Sequence, residues 1–532
     1  MTMKQTILVV SFLLTTFAFA QTKDIQIKES KVYKMTTARV QNDYILPDEN
    51  GGFITISSKR SGFLVNPLVS EAYATHYDQN LNLLKTKTFK LNKGSIKGTI
   101  KGAFVHKQHL YLINMEQNLR KRYYSFKKMD GDIQNGTISS KEFFHIDFVY
   151  PKNEVNLFVN PGSLYYQKLE FYSDVNFFNP KIFIRFSKNN RFFTIVYRDL
   201  KAHPALYHIQ VFNREFEPVF KQKISFPVAS KLFYINDLQV DDTNGDVYLA
   251  TQIYRNDPLK KRRLLNTDNT QHFKVYHITK DKVSTYKIKP EKVMEKLHIL
   301  IDKNLSVFGF YRDRYLDLNN IDGFYRLNLT KELSLINSSY QKFKQALVSV
   351  GSRKGLKKTK NHSMVTRQSF VLPNGDLIVN AEDLYVPQMM KKEDREAAIR
   401  EIAGNLFSIK VRQNGDIIWA KKIYKKQIVK PRLALHSFFG TYLNGTEYLL
   451  FTDSPLEKTS KNKPFYLQGS EQKNLNLVTI SSFGAVQKSV LYQPKRKKFR
   501  FMPIEGIMIA PKTAIIPAKD HLYIKFFKII FP

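Results

Sequence analysis

The chain has 532 residues, 43% of them apolar, with 84 Lys and Arg against 46 Asp and Glu, a formal charge of +38. It contains no Cys, which excludes a disulfide framework, a thiolate metal site, a Cys nucleophile and an acylated lipoprotein cysteine. Stability must come from burial, and a field this positive either favours polyanionic neighbours such as acidic glycans and envelope phosphates or reflects colloidal solubility.

The first element is MTMKQTILVVSFLLTTFAFA, with Lys4, an uncharged apolar run from Ile7 and the small-x-small ending Ala18-Phe19-Ala20. It reads as a secretory signal peptide, residues 1–20, cleaved near Ala20, with an uncleaved anchor as the alternative. No later run is apolar enough to span a bilayer as a helix. The expectation is an exported chain, periplasmic or secreted, with residues 21–532 forming one domain; nucleic acid is the least fitting polyanion for such a compartment.

From residue 43 onward short apolar stretches alternate with Asn-Gly, Asp-Gly or charged turns, and 41 Phe and 29 Tyr accompany them. That pattern predicts many short strands. They come in pairs of hairpins. First hairpins are read at 43–58, 102–116, 182–198, 238–254, 297–312, 369–384 and 439–453, and second hairpins at 73–91, 123–144, 206–226, 273–288, 324–343, 404–423 and 476–493. Two hairpins per unit, repeated seven times with uneven insertions, predict an all-β β-propeller of four-stranded blades, because such a unit buries its faces only against copies of itself. The tail 506–531 carries a further first-hairpin pattern, and 24–35 could complete it; seven blades with braced ends is the primary expectation and eight the alternative. KKEDREAAIREIAG (391–404) predicts one short helix in an inserted loop, closed by Gly404.

The sixth unit, PNGDLIVNAE followed by LFSIKVRQNGDIIWAKKI, resembles the repeats of secreted bacterial β-propellers. Its Asn-Gly-x-Ile-x-Trp ending is similar to that of tryptophan-docking propellers that bind quinone cofactors. Trp419 is the one Trp of the chain where those proteins repeat it, so the resemblance implies the fold and no quinone or other cofactor.

In such a blade the tight turns after strands one and three share one face, and the strand two-to-three connections and blade-to-blade links share the other. The long, charged segments of this sequence fall on that second face. Three basic runs are the candidate ligand contacts: Lys260, Lys261, Arg262 and Arg263; Arg353, Lys354, Lys357 and Lys358; Lys495, Arg496, Lys497 and Lys498. A solvated loop is the plainer reading of each. The ring-rich insert at 145–181 is expected to cover a neighbouring blade.

Catalytic and metal signals are weak. DDTNGD (241–246) lacks the Gly and the twelfth-position Glu of a calcium loop and reads as a hairpin turn. His203 and His208, and His272 and His277, are five apart and so point to opposite strand faces, and no metal is expected. YRND (254–257) and YRDRY (311–315) hold residue types that propeller hydrolases use, but surface pairing explains them as well. The reading leans away from an enzyme, towards a binding or scaffold propeller for an anionic glycan, an envelope component or an envelope protein. A hydrolase or lyase of acidic polysaccharides is the alternative.

Overall fold

The computed structural model describes residues 25–35, 40–61, 68–91, 96–118, 121, 123–132, 138–147, 182–199, 204–229, 232–254, 270–313, 321–343, 347–350, 364–385, 401–425, 427–429, 437–453, 474–494, 499–520 and 522–532. Alternating apolar residues place these segments in eight antiparallel sheets, one per blade. In blade one the strands Val40–Pro47, Phe53–Ser61, Leu68–Tyr77 and Leu83–Lys90 pair in chain order. Blades two to five and seven repeat that order, beginning at Ile96–His106, Ile182–Phe186, Phe233–Val240, Val293–Ile301 and Phe438–Leu443. Blade six is Met364–Val371, Leu377–Tyr385, Glu401–Val411 and Ile417–Ile423, widened by Leu347–Val350, which pairs parallel to its outermost strand.

The eighth blade corrects the primary expectation of seven. Residues 506–531 do not hold one hairpin: the short Ile507–Ala510, Thr513–Asp520 and Tyr523–Ile530 are strands one to three. The fourth position is taken by Gln26–Glu29 and Tyr33–Lys34, both antiparallel to Tyr523–Ile530. Strand one of this blade is split, with Arg500–Phe501 and Ile507–Ala510 both pairing with Thr513–Asp520 on either side of the turn of 3-10 helix at Pro503–Glu505.

The ring is closed by burial as well as by hydrogen bonds. Each pair of neighbouring blades shares an apolar cluster, and the clusters run through all eight junctions, from Ile56 with Leu112 between blades one and two to Ile45, Phe53 and Tyr77 with Ile515 and Phe526 between one and eight. The expected helix is also corrected. Residues 391–400 lie outside the described ones, and Glu401–Gly404 begin a strand in which Ile402 pairs with both Tyr385 and Ile428. Ladder hydrogen bonds on two sides outweigh the helix propensity of that stretch. Among the described residues there is no α-helix, and none is long and apolar enough to cross a membrane.

Candidate functional site

The first strand of each blade lies at one end of its sheet, so it borders the central channel and leaves a ladder edge there. In six blades this strand also carries a β-bulge: between Asn42 and Tyr44, Ile100 and Gly102, Ile235 and Asp237, Met294 and Leu297, Thr366 and Gln368, and Met508 and Ala510. A bulge adds a residue to one strand and re-aims its side chain. The extra positions fall at residue 43, Lys101, Asn236, Glu295 with Lys296, Arg367 and Ile509; of these Lys101 lines the channel cavity, while Asn236 is buried and Glu295 and Arg367 are held in ion pairs. Gly309 shows how tightly this is built: a Cβ there would lie 2.5 Å from the carbonyl oxygen of bulged Lys296.

Below the bulges the channel opens into a cavity of about 510 Å³ at the tight-turn face. Six blades line it. Blade one contributes Tyr44; blade two Lys101 and Ala103; blade three Ile184, Arg185, Phe186 and Lys188. Gln239 and Val240 come from blade four, Leu300, Ile301 and Asp302 from five, and Ser369, Phe370 and Val371 from six. Beside the lining residue Gln239 sits the buried carboxyl of Asp237, which accepts the backbone N–H groups of Leu238 and Ile299 at 2.8 Å each and the side-chain amide of Gln239 at 3.3 Å. Burial pushes the Asp237 carboxyl up, and the positive charge of Arg185 opposes that rise. The neighbouring His298 is buried and, chiefly by desolvation, held down to about 3, so it is neutral there.

Towards the opposite rim the described residues hold a buried ionic network. Arg367 donates from Nε and Nη2 to one oxygen of Glu382 at 3.1 Å each, and Lys425 donates to the other. Lys425 also reaches Gln427 Oε1 at 2.9 Å, and Gln427 Nε2 donates to the Thr452 carbonyl at 2.7 Å, which ties blade six to seven. Arg312 pairs with Glu295 in blade five, whose carboxyl is raised by burial against the pull of that guanidinium. These groups partner one another and mark positions where removing one charge strands the next.

The twelve basic residues read from sequence, Lys260 to Arg263, Arg353 to Lys358 and Lys495 to Lys498, lie outside the described residues, as do most of 145–181 and the tails of YRND and YRDRY. The strand ends beside the basic runs are described. Tyr254 pairs with Thr270, Val350 with Ile423, and Tyr492 is followed at Arg500 by blade eight, all at the rim away from the tight turns. DDTNGD forms the first turn of blade four, with Gly245 at φ 81° and Asp241 accepting the Thr243 N–H. His277 is bonded to Asp246 at 2.9 Å and His208 stacks on Tyr197; no group of three or more possible metal ligands occurs among the described residues. Sequence reading missed the channel. In blade two its local signal is Lys101, a charged residue inside the run IKGAFV.

No protein-family model and no curated protein matches the chain. Among solved structures it is similar to Saccharomyces cerevisiae Sqt1, at 6% identity and TM-score 0.38 over 94% of this chain and 98% of that one. It is similar also to the polysaccharide lyase Uly1, at 9% and 0.33 over 81% and 90%, and to the β-propeller domain of the Trilobed protease from Pyrococcus furiosus, at 9% and 0.35 over 86% and 97%. Likenesses of this size carry no activity to this chain.

Proposed function

We propose that this chain is an exported binding and scaffold propeller that holds an anionic glycan, an envelope component or an envelope protein against its basic rim. The observation that supports the reading best is topological: the strand ends flanking residues 255–269, 351–363 and 495–498 all terminate at one rim. Fourteen of the cations in a chain of net charge +38 belong to those segments. Cations gathered on one side of a rigid ring attract a polyanion by summed field, and that attraction weakens as salt screens it. A hydrolase or lyase would draw support from several carboxylates converging in the channel; the cavity lining holds one, Asp302.

The test is retention on immobilised heparin across a salt gradient. Replacing Lys260, Lys261, Arg262 and Arg263, or Lys495, Arg496, Lys497 and Lys498, with Ser is expected to move elution to distinctly lower salt. Elution unchanged by both replacements would remove the rim from the reading.

A further inference from the structure

The cavity at the tight-turn end of the channel lies opposite the rim just discussed, and its cations are gathered on one side, among the apolar Ala103, Ile184 and Phe186. Its cations, Lys101, Arg185 and Lys188, come from adjoining blades two and three. The wall contributed by blades five and six is apolar at Leu300, Ile301, Phe370 and Val371, with Asp302 at the lip and Ser369 beside it. We propose that this end of the channel is a separate ligand site for a small, ring-bearing organic acid, its anionic group against blades two and three and its ring on blades five and six.

Three features carry the assignment. The volume, about 510 Å³, is that of a pocket for one small molecule. One of the cations is placed by a built feature, Lys101 in a bulge that breaks the ladder between Ile100 and Gly102, and Arg185 shares its field with the buried Asp237 carboxyl, which two backbone N–H groups hold in place. A guanidinium can meet a planar oxyanion with two parallel hydrogen bonds. The channel-facing edges of the first strands add backbone donors at the same place. An acid without a ring leaves the apolar wall of blades five and six wet, and a ring without an acid gives up the attraction of the summed positive field, so the site selects for both parts together.

Calorimetric titration of the full chain with 2-naphthoate, with its neutral isostere 2-naphthylmethanol and with inorganic phosphate reads this directly. Saturable one-to-one binding of 2-naphthoate is expected, with the other two at least about tenfold weaker. Arg185→Gln with Lys188→Gln should weaken naphthoate at least about tenfold, because charge-assisted bonds to the acid are lost. Ser369→Trp should abolish binding by filling the cavity while leaving every charge in place. Circular dichroism confirms that each variant folds, and exposed Lys188→Gln alone serves as the mildest change. Heparin retention should stay the same in all three variants, so failure of the rim reading and failure of this one are separable. Absence of saturable naphthoate binding, equal affinity for the neutral compound, or loss of naphthoate binding when Lys260 to Arg263 are replaced would overturn the assignment.

Discussion

Single residues here show where burial overrides a local rule. The turns after the third strands of blades one, three, five, six and seven share one form, in which the fourth turn residue donates back three positions and has positive φ. Blades six and seven put Gly415 and Gly484 there, the expected choice, but blades one, three and five put Leu81, Phe216 and Leu333 at φ 69°, 72° and 69°. Those three side chains are buried. The left-handed backbone costs a non-glycine residue about 1–2 kcal/mol, and burying a Leu or Phe side chain offsets it with about 1.5–3 kcal/mol. An inverted ranking follows: Leu333→Ala loses the burial and keeps the strain, whereas Leu333→Gly loses the burial and relieves it. In urea unfolding both variants should be destabilised, with the Gly form the more stable by about 1 kcal/mol; the usual order, Ala above Gly, would show that the turn is not strained. Glu447 gives a second test. It is buried between blades six and seven, accepting hydrogen bonds from Asn380 at 2.5 Å and Ser408 at 2.6 Å. Burial pushes its carboxyl up to about 7 from an ordinary 4.5, against the lowering effect of those two donors. Between these values the folded chain keeps a proton that the unfolded chain releases, so the stability tied to this group is full below about pH 4.5 and is lost as pH rises through about 7. The difference amounts to about 3 kcal/mol. Glu447→Gln, which still accepts from Asn380, should show a smaller loss of melting temperature between pH 5 and pH 8 than the parent; equal losses would mean that Glu447 is ionised in the fold.

Elements were legible to the extent that their signal is local. All fourteen hairpins read between residues 43 and 493 are strand pairs of blades one to seven, because alternation along a strand and turn chemistry at its end are written in consecutive residues. Of the helix expected at 391–404 only 401–404 are described, and there local propensity yields to pairing partners elsewhere in the sequence, Tyr385 on one side and Ile428 on the other. The eighth blade was readable only as an alternative, since its fourth strand comes from the opposite end of the chain in pieces of four and two residues. Its attachment is specific all the same. Ser30 N donates to the Phe526 carbonyl and Phe526 N to Ser30 Oγ, both at 2.9 Å, and Lys525 pairs with Glu29. Tyr33 also stacks edge-on against Tyr77 of blade one. Removing residues 25–35 uncovers the backbone edge of Tyr523–Ile530, and an uncovered edge both destabilises its sheet and pairs with other chains. The truncated chain is expected to melt lower and to scatter light as dimers or larger species; a monomer melting with the parent would show that these strands merely decorate the ring. The candidate site divides in the same way. The basic runs are legible because each is contiguous, whereas the channel cavity is assembled from one to five residues of each of six blades, and no window of sequence contains it.

At the scale of the whole molecule, every blade is held by the same two things, a ladder within it and an apolar cluster on each side. Phe53, Phe126, Phe212, Phe273 and Phe308 are all buried at such junctions or beside them. A ring built that way has no privileged starting point. The chain ends meet in one blade, where Gln26 faces Ile530 across an antiparallel pair, so the fourth and third strands of blade eight already have hairpin geometry and lack only a turn. A circular permutant joining Pro532 to Ile25 through a short Gly-Ser linker, with new ends between Lys90 and Ile96 where blade one passes to blade two, converts that noncovalent closure into a covalent hairpin. It opens a link between blades whose faces remain packed through Ile56, Phe89, Leu112 and Met129. Since closing a short loop costs little entropy and no buried contact is removed, the permutant should fold and melt within about 5 °C of the parent in a single transition. Failure to fold, or an early separate transition for blade one, would mean that the ring depends on covalent continuity at the first link more than on its shared clusters.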